Sequence, residues 1–93
     1  MSVESRREIG ALLREVQEGG SLSMPHSRPL PAIGRRCHEL RVTGRDKTWR
    51  VVYRVDADAV LVPDVSGKKT RNTPQGVIEV CRERLRRYAG ARP

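Results

Sequence analysis

The sequence predicts a small α+β domain in which an N-terminal and a C-terminal helix bracket an antiparallel β-sheet meander. Three observations predict it. Apolar residues first recur at helical spacing, as Ile9, Leu12, Leu13 and Val16. From Cys37 the apolar period changes to two, in runs separated by short polar turns. After Thr73-Pro74 a helical pattern returns and continues nearly to the end. Helix, meander, helix is an α+β order, and 93 residues suffice for one thin core, so residues 1–93 are read as a single domain.

The elements follow in order. The i, i+3, i+4, i+7 pattern places the first helix over about residues 3–18, and Gly19-Gly20 ends it. The stretch "SLSMPHSRPLPAIG" holds three prolines, each lacking a backbone donor, so about residues 21–34 form a proline-rich loop with at most one helical turn. In the next run His38, Leu40 and Val42 share one strand face, while Cys37, Glu39 and Arg41 share the other. "TGRDK" reads as a turn. Trp49, Val51, Tyr53 and Val55 then share a face that is expected to meet the core, which sends Arg50, Val52 and Arg54 to the other side. "DAD" turns the chain again, and "AVLVPDV" is a third strand. Pro63 cannot donate to a ladder, so that strand is bulged there or lies at an edge. Thr73 suits an N-cap and Pro74 the first helical position, before Val77, Ile78, Cys81, Leu85 and Tyr88.

Charge narrows the function class. The formal net charge is +8 and the sequence pI about 10.7, a balance that favours polyanions such as RNA, DNA or an anionic membrane surface. The charge is also blocked. Residues 35–54 carry seven basic and two acidic groups, residues 68–87 the same numbers, and only three aspartates charge residues 55–67 between them. A fold that joins the two blocks makes one basic surface. Cys37 and Cys81 lack metal-ligand spacing and read as reduced apolar residues of a cytoplasmic protein; no metal or cofactor is expected. No apolar run reaches the roughly 18 residues that a membrane span needs, and the first residues do not read as a signal peptide.

Arg50 and Arg54 are expected to face outward together, with Arg41 beside them if the hairpin pairs in the obvious register. Lys68 and Lys69 leave the end of the next strand. A solvated sheet face is the plain reading of such a strand. Concentrated arginine favours phosphate instead, because a planar guanidinium forks onto two of its oxygens.

The stretch "CHELRV", followed by "TWRVVYRVDADAVLVPDVSGKKTRNTPQGVIEVCRERLRRY", resembles the RelE/ParE superfamily of type II toxins, most of all its HigB-like, phage-derived branch. The resemblance rests on Glu39-Leu40-Arg41 ending one strand, Trp49 to Tyr53 in the next, Lys68-Lys69-Thr70 closing the third, and Thr73-Pro74 opening the last helix. It covers about residues 9–88. It implies a RelE-like fold, here without the strand that usually precedes the first helix. It implies a toxin that binds mRNA on the ribosome and cleaves it, and a cognate helix-turn-helix antitoxin that silences it.

Carried over residue by residue, the resemblance makes Arg50 the phosphate-stabilising group and Lys68 and Lys69 the remaining catalytic candidates. Arg41, Arg54 and Arg71 become RNA-positioning residues. The implied reaction is attack of a ribose 2′-OH on the adjacent phosphate, which needs a base, a stabiliser of the dianionic phosphorane and an acid. Lysine serves as acid or base where neighbouring cations depress its pKa. His38 reads as a core or edge histidine, His26 as exposed and Tyr88 as packed under the last helix. Two alternatives stay open: a ParE-like inhibitor of gyrase, and an RNA-binding protein without chemistry. Expected partners are the antitoxin, the ribosome and mRNA, with a homodimer or a hetero-oligomer with the antitoxin as the assembly.

Overall fold

In the computed structural model, which describes residues 2–20, 27–44, 47–57, 59–68 and 72–91, the first helix starts where the sequence offers a cap. The Ser2 hydroxyl oxygen accepts from the Ser5 amide at 3.1 Å, and α1 runs over Val3–Gln17. Gly19 follows at φ 92°, a left-handed conformation that glycine adopts without a Cβ penalty. Among the described residues no strand precedes α1.

Among the described residues four strands follow: β1 (Ser27–Pro29), β2 (Cys37–Thr43), β3 (Thr48–Val55) and β4 (Val60–Lys68). They form one antiparallel sheet in the order β1-β2-β3-β4. The chain then enters α2 (Gln75–Ala91). The turns fall where polar residues predicted them, closed by Gly44 N–H to the Lys47 carbonyl at 2.9 Å and Asp56 N–H to the Ala59 carbonyl at 2.8 Å. Both expectations for Pro63 hold. β4 is an edge strand, and its register shifts so that Val62 and Pro63 lie between the pairs Arg54–Leu61 and Val52–Asp64.

One strand was not expected. β1 lies inside the proline-rich segment, where three residues are too few to show a period. Proline is tolerated there because β1 is an edge. His26 and the rest of residues 21–26 lie outside the described residues.

The sheet is covered on both faces. On one, Ile9 and Val16 of α1 pack with Leu40, Val42, Val51 and Tyr53, flanked by Trp49 and Val55, which bears out the expected core face of β3. On the other, Ile78, Cys81 and Leu85 of α2 meet Cys37, Val52, Leu30 and Ile33. Each fully buried valine or leucine contributes about 1.5–3 kcal/mol relative to exposure. The second layer corrects the expectation of an open arginine face. Val52, on the face assigned to the arginines, is 0% exposed because α2 covers it. Among the described residues no helix is long and apolar enough to cross a membrane.

Candidate functional site

Strand register assembles the site. The β2–β3 ladder sets Arg41 opposite Arg50, and the β1–β2 ladder sets Arg28 opposite Glu39. Alternate strand residues share a face, so all four sit on the α2 side of the sheet.

Glu39 is the hub. Its carboxylate is 0% exposed and takes three guanidiniums: Arg28 Nη2 at 3.2 Å and Arg50 Nε at 3.3 Å from Oε2, and Arg41 Nε at 3.9 Å from Oε1. The Thr73 hydroxyl donates to Oε2 at 2.6 Å. Burial pushes the Glu39 carboxyl up, but the Thr73 hydrogen bond, the Arg28 hydrogen bond and charge, and the Arg50 charge outweigh it, so the group lies below its ordinary value. It is a carboxylate at neutral pH.

Arg50 does not face solvent as the strand pattern suggested; it is 1% exposed. Its Nη2 donates to the Asn72 carbonyl at 3.3 Å, and the residues leading into α2 close over it. A guanidinium can be buried there because Glu39 supplies the countercharge. The same segment corrects the cap. The first helical acceptor is the Pro74 carbonyl, bonded by Ile78 N–H at 3.2 Å, while the Thr73 hydroxyl points back to the sheet.

The other expected residues divide. Arg41 joins the cluster with its side chain 23% exposed, and Arg28 joins it at 28%. Arg54 stands apart, beside Cys37 in the ladder, with both oxygens of Asp56 at 2.9 and 3.0 Å. Lys68 closes β4 opposite Thr48, and Lys69 and Arg71 lie outside the described residues. His38 is on the α1 side, stacked on Tyr53 at 5.2 Å, and burial lowers its pKa from 6.5. It is therefore not on the arginine face. Tyr88 lines an apolar groove of about 230 Å³ with Leu61, Val62, Pro63 and Leu85. The cysteines are free, buried thiols, with Cys81 pushed up to about 11 chiefly by burial.

Sequence reasoning missed Arg28, Glu39 and Thr73 as parts of this cluster. For Glu39 a signal existed, an acid on the same strand face as Arg41. For Arg28 there was none, because its strand has no readable period. Chemically the cluster presents two half-open guanidiniums, fixed by a buried carboxylate, to an anion arriving from solvent.

Comparison with known proteins adds a family. The model described as phage derived protein Gp49-like matches residues 1–86. No curated protein and no solved structure matches the chain.

Proposed function

The chain belongs to the phage-derived Gp49-like family, a RelE/HigB-like toxin family, and on that premise we propose that it is the toxin of a type II toxin–antitoxin system, of the HigB-like branch, that cleaves mRNA on the ribosome. The observation that carries this reading is the arginine cluster on the α2 face of the sheet, on strands next to β4, whose last residue is Lys68. In the proposed reaction a ribose 2′-OH attacks the adjacent phosphate. Lys68 and Lys69 exchange the protons, and Arg41, with Arg54 and Arg71, holds phosphates. Arg50 was expected to stabilise the phosphorane directly. In the arrangement described it orders the face from beneath, and contact with phosphate requires residues 72–73 to shift.

The proposed partner is a helix-turn-helix antitoxin, with the ribosome and mRNA as targets in the cytoplasm. The nine-residue edge strand β4, with Val62 and Val65 exposed, supports a partner that covers it. An acidic segment suits the net charge of +8. A second reading, RNA binding without cleavage, is favoured by the burial of Arg50 and by His38 lying on the opposite face.

Expression with and without a candidate helix-turn-helix antitoxin tests the proposal. Growth should arrest with the toxin alone and recover with the pair. The double substitution Lys68→Ala, Lys69→Ala should relieve the arrest at equal protein level. Arrest that persists in this variant would show that the lysines are not catalytic.

A further inference from the structure

We infer that Arg28 and Arg41 form a fork that grips one phosphodiester of single-stranded RNA, with the buried Glu39 carboxylate as the positioning residue that sets their spacing; this rests on the RNA-binding part of the reading above. Arg28 comes from β1 and Arg41 from β2, two residues beyond Glu39, which is Arg28's partner in the ladder. Their guanidiniums reach the same carboxylate through different oxygens, Arg28 at Oε2 and Arg41 at Oε1. The hydrogen bond holds Arg28, and the ion pair at 3.9 Å draws Arg41 toward the same carboxylate, so part of the ordering cost of binding is met in the free protein. Neither side chain is closed off: 28% of one and 23% of the other remain exposed.

The third arginine behaves differently. Arg50 shares the carboxylate yet is sealed beneath Asn72, so it holds Glu39 in place without itself meeting solvent. Thr73 fixes Oε2 from the helix side. The carboxylate is thus held from below and from the side, and its two remaining arginines stand at the surface. Two guanidiniums at a set spacing suit the two non-bridging oxygens of a phosphodiester.

Binding of an unstructured single-stranded RNA oligonucleotide, measured against salt, tests the fork without relying on cleavage. Each neutralised phosphate of a single strand adds about 0.7 to the log–log salt slope. Arg28→Ala and Arg41→Ala should each weaken binding. Their double variant should lower the slope by about 0.7, one phosphate's worth. Arg14→Ala, exposed on α1, should leave the slope unchanged.

Glu39→Gln separates positioning from bulk charge. Removing an acid should strengthen RNA binding on net charge alone, whereas loss of the spacer should weaken it. A drop near 1.4 in the double variant would mean two separate phosphates and overturn the fork. Unchanged affinity in Arg28→Ala would overturn it too, and tighter binding by folded Glu39→Gln would overturn the positioning role. A wild type whose RNA affinity ignores salt would instead sink the RNA-binding reading itself.

Discussion

The Thr73 hydroxyl donates to Oε2 of Glu39 at 2.6 Å, so the segment leading into α2 is tied to the middle of β2. The sequence separation is large and the acceptor is charged, which makes this contact a long-range fastener between helix and sheet. Thr73→Val keeps the shape and removes the donor. It should cost about 1.5–3 kcal/mol in denaturant unfolding, the range for hydrogen bonds to charged groups, and Thr73→Ser should restore most of it. Equal stability of the valine and serine variants would remove the hydroxyl from the account.

The Glu39 carboxyl gives a pH signature. Its folded pKa lies below the ordinary value of 4.5, so its contribution is present in full above that value and is lost as pH falls through the folded one. Wild-type thermal stability should therefore drop on acidification over this window. Glu39→Gln should start less stable at neutral pH and lose less in the same window. Parallel acid limbs for the two proteins would contradict a lowered Glu39 pKa.

A second tight approach joins the β2–β3 hairpin to α1. A Cβ built on Gly44 would stand 2.6 Å from the Oγ of Ser5, a buried side chain that accepts from Ser2 Oγ–H at 3.0 Å. Gly44→Ala should destabilise by about 1–3 kcal/mol through overpacking. Ser5→Ala should relieve part of that loss, giving a coupling above about 0.5 kcal/mol in a double-mutant cycle. Strict additivity would show that the hairpin and helix do not meet at this point.

Cys37 and Cys81 should be chemically silent in the folded protein. Both are buried, and burial is the main cause that raises both pKa values, that of Cys81 to about 11. At neutral pH little thiolate is available, so an alkylating reagent should modify them only at the rate of unfolding. Fast labelling of either thiol in the native protein would contradict the packing of α2 on the sheet.

What the sequence made legible was whatever carried a period. Ile9 to Val16 marked α1, and Trp49, Val51, Tyr53 and Val55 marked the sheet face that meets it. Pro63 announced a bulge or an edge, because a missing donor has few tolerated places in a ladder, and β4 has both. β1 stayed hidden, since its three residues sit among prolines and are too few to show a period. The larger gap concerned the arginines. Alternation correctly placed Arg41 and Arg50 on one face, but it cannot say what lies over that face. The cover comes from Asn72 and Thr73, whose approach to Arg50 and Glu39 is a tertiary contact without a local pattern. A strand arginine was therefore expected at the surface and found beneath it.

Mapping mRNA 5′ ends by primer extension in a reconstituted translation reaction shows directly whether the protein cleaves translated mRNA. With purified wild-type protein, new ends should appear within the translated message. They should be absent when ribosomes are omitted and should disappear with the Lys68→Ala, Lys69→Ala variant. Intact mRNA on translating ribosomes, at protein levels that bind RNA, would contradict the proposed cleavage.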